Sequence, residues 1–140
     1  MSKLLNRLSD SARSGVYRVS RDQEICDALS GSGHDLANVM LPPGKEAMLA
    51  SIAASLAFPD WFGGNWDALE DCLTDLSWRK KGSHVFLFRH GASDDDLGIL
   101  LDVLASAAEF WRERGQAFFA IFVDPGSRLD LPTLYREKAA

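Results

Sequence analysis

The chain has 140 residues, 46% apolar and 25% charged, with 20 acids against 15 Lys and Arg for a formal net charge of -5. No stretch approaches the ~18 apolar residues of a membrane span, and the N-terminus, MSKLLNRLSDSARSG, lacks the apolar core and small-residue cleavage site of a secretory signal. That excludes a membrane role and places the chain in the cytosol, while its acidity disfavours direct contact with nucleic acid and favours a basic protein partner.

This length suits one domain, expected over residues 1–140, with a core that needs no staples. Two cysteines, Cys26 and Cys72, make no framework and have no CxxC neighbourhood, so two reduced, buried thiols are expected rather than a disulfide.

Ser2 to Ala12 has Leu4, Leu5 and Leu8 at helical spacing and predicts a short helix, broken at Ser14-Gly15. Val16 to Val19 predicts a strand. Ser20 and Gln23 have the spacing of a capping box for a helix through Ile25, Cys26 and Leu29, stopped by the GSG at 31–33. Asp35 to Leu41 predicts a buried strand ended by Pro42-Pro43. Lys45 to Ala57, rich in Ala, Leu and Met, predicts a helix stopped at Phe58-Pro59. After the turn Gly63-Gly64, Asn65 caps a helix over Trp66 to Leu76. His84 to Arg89 predicts a strand. Ser93 caps the longest helix, with Asp94, Asp95 and Asp96 in its first turn and Gly115 at its end. Ala117 to Val123 predicts a continuous apolar strand, and 125–140 reads as a polar, weakly helical tail. Alternating strands and helices, with two strands apolar throughout, indicate an α/β layer with a parallel sheet.

One stretch stands apart. Phe58 to Trp78, FPDWFGGNWDALEDCLTDLSW, holds five acids and no Lys or Arg, and three of the four Trp residues. Outside it, acids and bases balance at 15 each, so this segment accounts for the whole net charge. With Asp67 as origin and about 100° per residue, Glu70, Asp71, Thr74 and Asp75 share its face of a helix. Trp66, Ala68, Leu69, Cys72, Leu73 and Leu76 fall on the opposite face. Solvated helices usually mix signs at i,i+4. Here Asp67, Asp71 and Asp75 repeat one sign, which costs a few tenths of a kcal/mol per pair, and Asp75 sits where the helix dipole disfavours an anion. A cationic partner would convert those local costs into affinity.

These residues resemble the central motif of the barstar family, the intracellular protein inhibitors of barnase-type ribonucleases. The signature is Phe/Leu-Pro-acid-aromatic-aromatic-Gly-x-Asn-x-Asp-Ala-Leu-x-Asp-Cys-Leu-Thr. A weaker likeness extends over about residues 34 to 124, leaving 1–33 as an N-terminal extension and 125–140 as a tail. The resemblance implies a two-layer α/β fold with a small parallel sheet of three strands, to which the extension can add a fourth. It also implies that this helix and its preceding loop enter the cleft where RNA phosphates bind. Asp71 falls on the family's central carboxylate and Asp67 on the second. Trp61 replaces the aromatic that stacks on a catalytic histidine, and Gly63, Asn65 and Thr74 match loop and helix contacts. A carboxylate imitates a phosphate by accepting charge-assisted hydrogen bonds from Arg and Lys.

The departures are Glu70 where the prototype has Trp, Asp75 and Leu76 where it has Gly and Trp, and Trp66 for a Leu. The prototype's acid on the last helix falls on Phe110, with Glu109 and Glu113 nearby. These changes point to a different partner. The expected partner-binding set is Trp61, Gly63, Asn65, Trp66, Asp67, Glu70, Asp71, Thr74 and Asp75, on a monomer forming a 1:1 complex with a basic ribonuclease.

Two rival readings remain: an acidic interaction module for a basic protein that is not a nuclease, and an enzyme using Asp67 and Asp71 as Mg²⁺ ligands. No companion base, nucleophile or phosphate loop accompanies the acids, so no catalysis, metal or cofactor is expected. His34, His84 and His90 show no metal spacing and receive no role.

Overall fold

The structure, a computed structural model, describes residues 3–90 and 95–135. Four strands, β1 (Gly15–Val19), β2 (Asp35–Leu41), β3 (His84–His90) and β4 (Phe118–Val123), form one sheet in the order β1-β4-β3-β2. Every pairing is parallel. The helices are α1 (Lys3–Leu8), α2 (Gln23–Leu29), α3 (Lys45–Ser55), α4 (Trp66–Leu73) and α5 (Asp95–Glu113).

The apolar runs of β3 and β4 follow from burial on both faces. Phe86, Phe88, Phe118, Ala120 and Phe122 point into a core completed by α3, α4 and α5. Val85, Leu87, Phe119 and Ile121 point the other way, into a second core closed by Leu8 of α1 and Ile25 and Leu29 of α2. Removing each of the Phe, Leu, Ile and Val side chains from water contributes on the order of 1.5–3 kcal/mol. The α/β class and the fourth strand are as expected. The layer count is not: helices cover both faces, because β3 and β4 are apolar on both and the extension is long enough to cover the second.

Several boundaries also differ. The first helix ends at Leu8, and a single 3-10 turn at 11–13 follows, capped by the Asp10 carboxylate accepting from Ala12 N at 3.1 Å. The N-cap of the second helix is Asp22 and not Ser20. Asp22 holds the N-cap position of α2 with no side-chain cap bond, because its carboxylate is taken by Arg89. α3 ends at Ser55 and α4 at Leu73, short of the expected Ala57 and Leu76. Ala57 and Leu76 both turn into the left-handed region, with φ of 53° and 54°. Ser93 and Asp94 lie outside the described residues.

The tail is not a loose polar segment where it is described. Leu129 and Leu134 are buried. The Asp124 carboxylate accepts from Leu129 N at 2.8 Å. Arg18 N donates to Pro132 O at 2.9 Å, which ties the tail to the outer edge of β1.

Candidate partner-binding face

α4 starts where the sequence says it should. Gly64 takes a φ of 72°, open to glycine and strained for other residues. Asn65 is extended, and its Oδ1 accepts from Ala68 N at 2.7 Å. This satisfies one of the free N–H groups of the first turn. Gly63 has no positive φ, and a Cβ there would meet Ala68 Cβ at 3.6 Å, an ordinary contact. Only the second glycine of the pair is required by the turn itself.

Leu69, Cys72 and Leu73 seat the helix against the core. Its C-terminal carbonyls are closed off locally and from outside. Thr74 Oγ1 donates to Glu70 O at 2.8 Å, and Trp111 Nε1, from α5, donates to Leu73 O at 2.8 Å. The outer side carries Asp67 and Asp71, both exposed, with Glu70 half-buried. Asp75 is exposed but lies past the helix end, its N–H bonded to Cys72 O at 3.2 Å. The dipole cost anticipated for Asp75 therefore falls on Asp71, in the last turn. Thr74 and Trp66 are half-buried, and Trp66 packs on the core.

These acids form a cluster without a bridging cation. Asp10, Asp22, Glu24, Asp35, Glu109 and Asp124 each pair with an Arg. Among the described residues, Asp67, Glu70, Asp71 and Asp75 pair with none. The Cys72 thiol beneath them is pushed up to about 11, first by burial and then by the charges of Asp75 and Asp71. The two carboxylates therefore act on one spot although only one is helical.

Beside the helix stands Trp61, 56% exposed. Its loop rests on an aromatic cluster. Trp78 meets Trp61 edge-on at 6.4 Å between ring centroids and Phe58 at 5.9 Å, and Phe58 meets Phe62 at 5.0 Å. Trp78 Nε1 donates to Leu56 O at 2.9 Å. An exposed, propped indole next to an unpaired acidic face can stack on a flat group while the carboxylates accept hydrogen bonds from cations.

A family model described as Barstar (barnase inhibitor) matches residues 37–123, well over half of the chain. The chain belongs to the barstar family. That family is one of inhibitors, described by its inhibition of barnase. The match contains α3, α4, α5, β3 and β4, the whole of the 58–78 segment, and β2 from Ala37 onward. It leaves out β1, α1 and α2. Comparisons with curated proteins and with solved structures return no match.

Sequence reasoning missed a buried ion cluster that adjoins the 58–78 segment. Asp35, 3% exposed at its side chain, accepts from Arg79 Nε at 3.0 Å and from Nη2 at 2.7 Å. Its Oδ2 also lies 2.9 Å from His84 Nδ1. Burial alone would raise the Asp35 carboxyl, but the bonds from His84 and Arg79 and the Arg79 charge outweigh it and hold the group below its ordinary value. Phe110, at the position of the prototype's last-helix acid, lies under the Arg114 guanidinium at 3.6 Å from the ring centroid. That position carries cation–π packing here and no carboxylate. Among the described residues no group of His, Cys, Asp and Glu is arranged to hold a metal ion, and no helix is long and apolar enough to cross a membrane.

Proposed function

We propose that this protein inhibits a basic, barnase-type ribonuclease by seating Trp61 and the acidic side of α4 in the enzyme's active site. The reading rests on one observation above all: Asp67, Glu70, Asp71 and Asp75 crowd onto one side of α4 and the turn after it, beside the exposed Trp61, and no cation bridges any of them. Asp71 and Asp67 take the places of RNA phosphates and accept bonds from the nuclease's Arg and Lys. Glu70, Asp75 and Thr74 extend the contact, and Gly63 and Asn65 let the loop approach closely. Opposite charge accelerates encounter and makes it sensitive to salt. The complex is one-to-one and cytosolic, and it requires no cofactor.

The test is titration of the purified protein into a ribonuclease encoded beside it, with RNA cleavage as the readout. Cleavage should stop near one equivalent. Asp71→Ala should restore most of it while leaving the thermal midpoint of the inhibitor unchanged or slightly raised, since the carboxylate is exposed, unpaired and disfavoured by the helix dipole. Full nuclease activity at excess inhibitor would overturn the proposal. Salt-sensitive binding through the same face to a basic protein without nuclease activity would replace it with an interaction module.

A further inference from the structure

Arg79 has no place in the exposed face, yet it sits one residue from the side chain that props Trp61. Its guanidinium is fixed on both arms by Asp35, at 3.0 and 2.7 Å, and its side chain is only 15% exposed. Its backbone N–H closes a turn on Leu76 O at 3.0 Å, and Leu76 is buried with a positive φ. The short path from the end of α4 to Arg79 is therefore pinned at both ends. Trp78 lies inside it, tied to Leu56 O and edge-on to Trp61 and Phe58.

We propose that Arg79 is a positioning residue for the binding loop. Locked to Asp35, it sets the path of 76–79, which fixes the Trp78 ring and through it the orientation of Trp61. A bidentate Arg–carboxylate pair suits this task because it fixes orientation as well as distance. Trp61 is 56% exposed and meets the Trp78 ring edge-on, so its average pose depends on that ring. Asp35 accepts on both oxygens and has His84 as a further neighbour, so the anchor is itself fixed.

The proposal rests on the inhibitor reading only for its effect on affinity. Its first test needs no partner. The protein is labelled with 5-fluorotryptophan, and its resonances are assigned by single Trp→Phe variants. Arg79→Gln should then shift or broaden the signals of Trp61 and Trp78 and leave that of Trp66 in place. Arg79→Lys, which keeps the charge and loses the fork, should do so to a smaller degree, and it carries the test if Arg79→Gln does not fold. An unmoved Trp61 signal in a folded variant overturns the proposal, whatever the partner is.

The second test uses the complex. Arg79→Gln should raise the dissociation rate about tenfold with the association rate unchanged, since encounter is governed by charge and residence by fit. In a Trp61→Ala background the same substitution should add nothing. Additive effects, or a wild-type dissociation rate in Arg79→Gln, would place Arg79 outside the binding machinery. Failure of the wild-type protein to bind a nuclease would count against the proposed function, and the fluorine signals would still decide the role of Arg79.

Discussion

The indole Nε1 of Trp111 donates to the carbonyl oxygen of Leu73 at 2.8 Å. Leu73 is the last helical residue of α4, and its carbonyl is among those left without an intrahelical partner. The long helix α5 thus holds the end of the short one. An eight-residue helix is marginal by itself and owes its persistence to such tertiary contacts. Trp111→Phe removes the donor and part of the ring while keeping an aromatic in place. We expect a loss of about 2 kcal/mol, from the missing bond and the smaller side chain together. Urea unfolding followed by far-UV circular dichroism measures it, and a stability equal to wild type would contradict the account of how α4 is held.

The two glycines before α4 should separate cleanly. Gly64→Ala places a Cβ at a φ of 72° and should cost about 1–2 kcal/mol. Gly63→Ala meets only ordinary contacts within the protein and should stay within about 0.5 kcal/mol of wild type. If Gly63 is smooth for the benefit of a partner, its Ala variant should bind that partner more weakly at unchanged stability. Thermal unfolding together with a binding titration distinguishes the two positions.

Acid should loosen the protein at a predictable place. Burial raises the Asp35 carboxyl, but the His84 and Arg79 bonds and the Arg79 charge bring it below its ordinary 3.8. A native value below the unfolded one means that the stabilisation is complete above about pH 3.8 and is lost as pH falls through the native value. Asp22 shifts in the same sense, with burial opposed by the hydrogen bond and charge of Arg89. Stability should therefore fall below about pH 4. Asp35→Asn, weaker at neutral pH, should approach wild type as pH drops through that window. Urea midpoints between pH 2 and 7 would show the two curves converging, and parallel curves would exclude Asp35 as a source of the acid limb.

Both thiols should be slow to react. Cys72 is fully buried and pushed up to about 11 by burial and by the charges of Asp75 and Asp71. Cys26 is half-buried and raised in the same direction, by burial and by its neighbour Asp22. Because the thiolate is the reacting species, labelling at pH 8 should reach Cys26 slowly and Cys72 only on unfolding. A fast first equivalent with an aromatic disulfide reagent would contradict this order.

Most of the frame could be read from the sequence, and the failures share a cause. The apolar runs of β3 and β4 marked a parallel sheet, although their burial on both faces was not drawn from them, and Asn65 marked the start of α4 to the residue. The end of α4 was misplaced because Leu76 has the periodicity of a helical core residue. It reaches the core instead by leaving the helix through a left-handed turn. That displaced Asp75 from a face on which Asp67, Glu70 and Asp71 remain. The Asp35–Arg79–His84 cluster left no local trace, since Asp35 lies 44 and 49 positions from the other two, meeting His84 through strand register and Arg79 through the loop before β3. The outward position of Trp61 followed from the resemblance alone, since Pro and Gly neighbours suit a buried aromatic as well as an exposed one. The ring that props it, Trp78, could not be anticipated, because edge-to-face contact has no signature in spacing.

The pairing of β1 with β4 joins Gly15 to Phe119 and Val19 to Val123. The strand that leaves the ribosome first must wait for the one that leaves last. Until then α1 and α2 have no finished sheet to cover, and Val85 and Leu87 lack half their packing. Closing so long a loop is slow and exposes apolar surface meanwhile. A cell that relies on this protein against a nuclease would thus gain no protection from partly made chains, and would need completed molecules in place before the enzyme appears.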